Sequence, residues 1–271
     1  MADSNWFDVD PKTSTVDFNT SVPHPARIYD YWLGGKDNFA ADRDAAEHAL
    51  SLVPEFRHYA VGNRKFLARA VRFLAQSGIR QFLDLGTGLP TSPNVHEVAQ
   101  DVDPDCRVVY VDSDPIVAAH ASALLATDPP TAAVLADFRD ADTVLAEAGR
   151  LLDFSQPVAV MFIASLHHVL DEDDPAGVVG RYLDAVAPGS YLVLSHCTDD
   201  MATEGMRQGS ASARERGVTF VPRSHAKVLR LFGGHDLIEP GLVQVSYWRP
   251  DRGGPDLNAD LVFAYGGIAR L

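Results

Sequence analysis

The chain predicts an α/β fold, a parallel sheet with crossover helices preceded by a helical cap. Three observations carry this. From residue 81 onward, short apolar runs of strand length alternate with segments of helical period, a pattern that demands a parallel sheet. Two of these runs, Gln81-Phe-Leu-Asp-Leu85 and Val108-Val-Tyr-Val-Asp112, carry an acid at or beside their carboxyl end. Residues 26–75 show helical spacing alone.

Taken in order, residues 1–22 are polar, rich in Asp, Ser and Thr, and without period, which predicts a loose arm. Apolar residues at three- and four-residue spacing then predict helices over 26–33, 42–52 and 61–75, with Gly34-Gly35 interrupting after the first. Strands are predicted at 81–85, 107–111, 132–135, 158–163 and 191–195. Helices are predicted at 94–100, at 115–126 with Asp114 as cap, and at 142–149, 176–186 and 223–231. Residues 197–222 are polar and Gly-rich and read as a mobile segment or one beside the active site. Residues 1–80 thus form an arm and cap, and 81–271 a sheet domain.

Apolar residues make up 46% of the chain and charged ones 22%, as in a soluble globular protein. There is no uninterrupted apolar stretch long enough to span a bilayer, so no membrane contact is expected. The acidic start, Met1-Ala-Asp-Ser-Asn-Trp6, lacks a basic segment leading into an apolar one, which predicts a cytoplasmic protein. Cys106 and Cys197 have no Cys-x-x-Cys partners, and this pattern supports structural roles without a disulfide or a metal site. The net charge of −14 lies wholly in residues 81–271, because residues 1–80 are balanced. Such a surface repels phosphate backbones and argues against a nucleic-acid partner.

The loop after the first strand discriminates between ligands. Gly86 and Gly88 allow the backbone to approach a ligand closely, and Asp112 ends the next strand where a carboxylate can grip a ribose diol. Both features suit an adenosine-containing cofactor. A dinucleotide fingerprint is Gly-x-Gly-x-x-Gly/Ala, whereas Thr91 stands in the third position and Asp84 precedes the first glycine. An acid beside pyrophosphate is unfavourable, but beside a sulfonium and an ammonium it is an asset. The loop therefore favours S-adenosylmethionine over a nicotinamide cofactor.

With these residues in view, the chain resembles the class I S-adenosylmethionine-dependent methyltransferases from about Phe82 to its end. More narrowly, Pro25-Ala-Arg-Ile-Tyr-Asp-Tyr-Trp-Leu-Gly-Gly-Lys-Asp-Asn-Phe39 and Asp84-Leu-Gly-Thr-Gly-Leu-Pro-Thr-Ser-Pro-Asn-Val-His96 resemble a bacterial family of uncharacterised S-adenosyl methyltransferases, once catalogued as a domain of unknown function. This resemblance implies a Rossmann-like class I methyltransferase sheet, mostly parallel with an antiparallel C-terminal strand. The apolar runs 242–248 and 261–265 are its candidates for terminal antiparallel strands. It also implies methyl transfer from S-adenosylmethionine, with S-adenosylhomocysteine as product; the family leaves the acceptor open, and a small-molecule nucleophile is the expectation for it.

The site residues follow. Asp84, Gly86, Thr87 and Gly88 form the cofactor loop, and Asp112 and Ser113 take the ribose and the adenine edge. Asp137 and Phe138 stand where the resemblance puts an acid for the adenine amino group and a stacking aromatic. Ser165 and His167 leave the fourth strand beside the transferring methyl, and His167 is the candidate general base. In the cap, Tyr29 faces the cofactor, Arg27 and Lys36 are candidates for its carboxylate, and the aromatic segment Tyr29 to Asn38 suits a lid. His196, Met201 and Arg207 are candidates for the acceptor pocket. The alternatives are a nucleotide-dependent oxidoreductase on the same sheet and a non-catalytic S-adenosylmethionine-binding or sensing protein.

Overall fold

The computed structural model describes residues 19–125, 130–201, 203–251, 253–255 and 258–271. Most of the predicted arm, and residue 126 of a predicted helix, lie outside the described residues. The chain lays down α1 (Pro25–Trp32), α2 (Ala40–Leu52), α3 (Phe56–Gln76), β1 (Gln81–Leu85), α4 (Val95–Val102), β2 (Arg107–Asp112), α5 (Pro115–Leu125) and β3 (Thr131–Leu135). It continues with α6 (Ala141–Ala148), β4 (Ala159–Ile163), α7 (Pro175–Leu183), β5 (Tyr191–Cys197), α8 (Glu204–Glu215), α9 (His225–Arg230), β6 (Asp236–Leu237), β7 (Val243–Gln244) and β8 (Ala264–Arg270).

The strands form one sheet in the order β3-β2-β1-β4-β5-β8-β6, with β7 also paired to β8. β1 to β5 run parallel, and β8 is antiparallel to β5, pairing Tyr191 with Arg270 and Cys197 with Ala264. Helices cover both faces, which explains why β4 is apolar throughout and why β1, though it carries Gln81 and Asp84, is buried along its whole length. On one face Phe82, Val108, Tyr110, Met161 and Val193 pack under α3 and α4. On the other, Leu83, Val109, Val160, Phe162 and Leu194 pack under α6, α7 and α9. Phe162, wholly buried between Phe138 and Tyr182, would cost about 3–5 kcal/mol if cut to Ala.

Three elements depart from the sequence reading. Helix α8 lies within residues 197–222, the segment read as mobile or beside the active site; it is a helix, and the segment does border the cavity of the candidate active site. Thr203 caps the helix by accepting from Met206 N at 3.3 Å, but Met206 is the only residue it buries, so it carries too few apolar residues to read as a packed helix. β8 runs on to Arg270, through Gly266-Gly267 and past the end of the apolar run 261–265. A Cβ at Gly266 would lie 2.8 Å from Val245 and 2.9 Å from Phe66, so this strand carries glycine because other elements press on it. Residues 242–248 give only the short β7 before a 3₁₀ turn at Val245–Tyr247, and Asp236–Leu237 supplies the other partner of β8.

Candidate active site

The sheet order reverses between β1 and β4, so their carboxyl ends open a crevice. In the loop after β1, Gly86 N and Thr87 N donate to Val111 O at 2.8 and 3.1 Å, and Gly88 N donates to Asp112 Oδ2 at 2.9 Å. Gly86 and Gly88 have φ of +75° and +69°, which only glycine adopts without strain. A Cβ on Gly86 would fall 2.6 Å from Ser165 Cβ, whereas one on Gly88 would meet only Ala26, at 3.8 Å. The loop is therefore fixed against β4's exit while its far end stays open to a ligand. Because the three successive amides are already taken up by the end of β2, the loop offers no anion nest for a pyrophosphate.

Two acids stand at this crevice. Asp84 is buried and accepts from Thr87 Oγ1 at 2.9 Å. Burial pushes its carboxyl up to about 6, against the Thr87 hydrogen bond and the Arg64 charge and with help from Asp112. Asp112 accepts from Gly88 N at one oxygen and from Asp114 N, at 2.9 Å, at the other, and burial raises its pKa as well. Each carboxylate oxygen has a further lone pair to offer a ligand. Buried acids of this kind suit a cationic cofactor with a ribose diol.

The opposite wall is built by the exit of β4. Ala164 takes φ +58°, and its amide donates to Ser195 O at 3.1 Å and Ser195 Oγ at 3.0 Å. Ser195 Oγ donates to Asn63 Oδ1 at 2.6 Å, and Asn63 Nδ2 donates to the Tyr29 hydroxyl at 3.1 Å, which itself donates to Ala60 O at 2.9 Å. One network thus joins the β4 loop, β5, α3 and α1. Burial raises the Tyr29 phenol to about 12, so it stays protonated.

Beyond Ala164 lie Ser165 and the 3₁₀ turn Leu166–His168. Buried Arg223 bolts this turn in place, donating to Leu166 O at 2.9 Å, Val169 O at 2.7 Å, Asp171 Oδ1 at 2.7 Å and His196 Nε2 at 2.9 Å. His196 Nδ1 faces Cys197 O at 2.7 Å, which can only accept, so His196 is the Nδ1-protonated neutral tautomer. The same logic makes His168 an Nδ1–H donor to Thr219 O at 2.6 Å. Burial, helped by neighbouring imidazoles and Arg223, drives His167 well below the ordinary range, and burial lowers His168 to about 4. Both are neutral bases.

Four buried polar atoms have no hydrogen-bond partner here: Ser165 Oγ, His167 Nδ1, Tyr59 Oη and Arg64 Nε. All four residues line one cavity of about 200 Å³ that also takes in Asp84, Gly86 and Asp112. Unsatisfied buried groups are costly, and their convergence marks a place for a ligand. S-adenosylmethionine fits this donor set: ribose at Asp112, cationic end at Asp84, backbone at the glycine loop.

Of the sequence-predicted residues, the cavity brings together Tyr29, Asp84, Gly86, Thr87, Gly88, Asp112, Ser113, Phe138, Ser165 and His167. Arg27, Lys36 and Asp137 do not line it. Arg27 is buried within ion-pair distance of Asp114 Oδ2, 3.1 Å, and Asp42 Oδ2, 3.5 Å, where it ties α1 to α5 and α2. Lys36 is exposed. Asp137 is engaged by Arg139, whose Nε lies 2.9 Å from Oδ2; these hydrogen bonds outweigh burial and lower its pKa. Gly34-Gly35 turns around Asp30, whose Oδ2 accepts from Asn38 Nδ2 at 2.8 Å. His196, Met201 and Arg207 also lie off the cavity, which draws instead on Gly209, Ala213, Arg216, Val218 and Phe220.

Arg64 was not anticipated from sequence. It donates from a terminal nitrogen to Thr91 O and Pro93 O, placing a guanidinium beside the cofactor loop. A signal was present on α3: Phe56, Tyr59, Asn63, Phe66, Leu67 and Ala70 form the buried stripe, and Asn63 breaks it at the cavity.

Fold and site together define a Rossmann-like methyltransferase that uses S-adenosylmethionine. Residues 11–271 match the family described as S-adenosyl methyltransferase, and the chain belongs to that family. It is 44% identical to a "putative methyltransferase" from Thermobifida fusca YX, with 95% of this chain and 99% of that one covered and a TM-score of 0.88. It is 43% identical to a DUF574 family protein from Streptomyces avermitilis MA-4680, with 93% and 99% covered and a TM-score of 0.89. No curated protein sequence matches the chain significantly. The family assignment favours neither the oxidoreductase nor the non-catalytic alternative. Among the described residues, no helix is long and apolar enough to cross a membrane.

Proposed function

We propose that this enzyme methylates a small-molecule nucleophile held in the same cavity as its cofactor. The carrying observation is that one cavity runs from Asp84 and Asp112 to His167 and is walled by α1, α2 and α3, so a compact acceptor would meet the cofactor away from bulk water. S-adenosylmethionine, when bound, supplies a methyl group already activated on a sulfonium sulfur. Asp112 takes the ribose hydroxyls, Phe138 stacks on the adenine, and Asp84 offsets positive charge at the amino-acid end. Arg64 takes the cofactor's carboxylate in place of Arg27 and Lys36. Phe138 is steadied for stacking by Tyr182, whose hydroxyl donates to Phe138 O at 2.6 Å.

His167 accepts the acceptor's proton as a neutral imidazole. Most of the acceleration comes from alignment, because the donor needs no further activation. The described part of residues 1–80, from residue 19 onward, acts as a cap over the sheet domain, and α1 to α3 close the site. The test is incubation of the protein with methyl-labelled cofactor and a cell extract separated into dialysable and macromolecular fractions. Label in the dialysable fraction supports this reading, and label confined to macromolecules overturns it.

A further inference from the structure

The end of the cavity away from Asp84 is built almost entirely of rings. Trp32 stacks on Phe56 with centroids 4.4 Å apart, Phe220 sits edge-on to Phe56 at 5.9 Å and to His167 at 5.3 Å, and Tyr59 meets His167 at 6.5 Å. All five line the cavity. Tyr59 and His167, each almost wholly buried, both line this ring-walled space, where His167 Nδ1 has no hydrogen-bond partner and the Tyr59 hydroxyl neighbours Cys197. Flat walls meeting edge-to-face favour a flat guest, because aromatic pairs prefer offset-stacked or T-shaped contact.

The two polar side chains set among these rings, Tyr59 and His167, are uncharged. The Tyr59 phenol is held protonated by burial, and the His167 imidazole is held neutral by burial and by neighbouring imidazoles and Arg223. A carboxylate or ammonium placed between these two side chains would be desolvated with no charge on either to offset it. A weak neutral base also needs an acidic partner. Aromatic hydroxyls, near pKa 10 as in tyrosine, meet that need far better than aliphatic alcohols.

We propose that the acceptor is an uncharged, planar aromatic hydroxyl compound, seated among Trp32, Phe56 and Phe220 with its O–H between Tyr59 and His167. This rests on the small-molecule reading above and narrows it. As the acceptor oxygen bonds the methyl carbon, the carbon–sulfur pair remains with sulfur, and the hydroxyl proton passes to the His167 imidazole and then to solvent. The positive charge lost at sulfur reappears on the imidazole until that release, so the site's net charge is unchanged during transfer.

The test uses the full chain in two stages. Calorimetry with S-adenosylhomocysteine first establishes the cofactor site by itself. 1-Naphthol, 4-hydroxybenzoate, tyramine and cyclohexanol are then titrated into that complex and supplied with S-adenosylmethionine, with thermal shift and methylated product as readouts. The expected result is binding and methylation of 1-naphthol with at least tenfold preference over the other three. Tyr59→Phe and Phe220→Leu should each weaken 1-naphthol binding threefold or more while S-adenosylhomocysteine binding is retained. If S-adenosylhomocysteine binds and 1-naphthol does not, or any of the other three binds as well, the aromatic-hydroxyl assignment fails while the cofactor site stands. If S-adenosylhomocysteine itself fails to bind folded protein, both fall.

Discussion

The amide of Gly88 donates to the Asp112 carboxylate at 2.9 Å, so the loop after β1 and the acid ending β2 are one unit. A residue that grips the ribose therefore also sets the height of the loop beneath it. Hydrogen bonds to a charged acceptor contribute about 1.5–3 kcal/mol. Asp112→Ala should accordingly weaken S-adenosylhomocysteine binding roughly tenfold to a hundredfold, while Asp112→Asn, which keeps an acceptor, loses less. Calorimetry on both variants checks this, and equal affinity for all three proteins would refute it.

Asp84 makes cofactor binding depend on pH. Its carboxyl is raised by burial to about 6, and a cationic ligand favours the ionised form. Affinity for S-adenosylmethionine should rise as pH increases through about 6 and level off above 7. For the protein alone the sign is opposite. The raised pKa gives a stabilising contribution that is fully present below the unfolded value of 3.8 and is lost as pH rises through about 6, roughly 3 kcal/mol at most. The thermal shift caused by S-adenosylmethionine should therefore be larger at pH 7.5 than at pH 5.5. Uncharged methylthioadenosine should show little such difference, and an equal trend for both ligands would contradict the role given to Asp84.

Arg64 is separable from the rest of the site by choice of ligand. Arg64→Met should lower S-adenosylhomocysteine affinity about tenfold or more, because a charged hydrogen-bond partner is lost. Methylthioadenosine, which lacks the amino-acid end, should bind the variant and the parent alike. Parallel loss of both ligands would mean that Arg64 only supports the Thr91–Pro93 backbone.

Gly86→Ala combines two costs, a φ of +75° and a Cβ 2.6 Å from Ser165 Cβ. Together they should destabilise the fold by about 2–4 kcal/mol, read as a lower melting temperature. Adding Ser165→Gly should recover the steric part and leave the backbone part, so the pair is non-additive. Full additivity in a double-mutant cycle would show that the two positions do not press on each other.

Much of this was legible in the sequence because it rests on local chemistry. Strand-length apolar runs, Gly86 and Gly88, and the acids at Asp84 and Asp112 are encoded within a few residues, and the structure gathers them at one crevice. What escaped was set by distant parts of the chain. The apolar run 261–265 stops before Gly266-Gly267, yet the strand continues to Arg270, with Phe66 and Val245 pressing on Gly266 and Phe232 and Leu242 on Gly267. Helix α8 buries only Met206 and is too polar to read as a packed helix. Arg27 and Arg64 are both cations ahead of the sheet, and only tertiary packing turns one toward Asp114 and the other toward the cavity.

The most direct test of the cofactor site is a calorimetric titration of S-adenosylhomocysteine into the purified, folded protein. One saturable site per chain is the expected result, lost or strongly weakened when both Asp84 and Asp112 are replaced by Ala in a variant that retains its circular dichroism spectrum. Absence of binding by the parent protein, or undiminished binding by that double variant, would contradict the assignment of the crevice between β1 and β4 as the cofactor site.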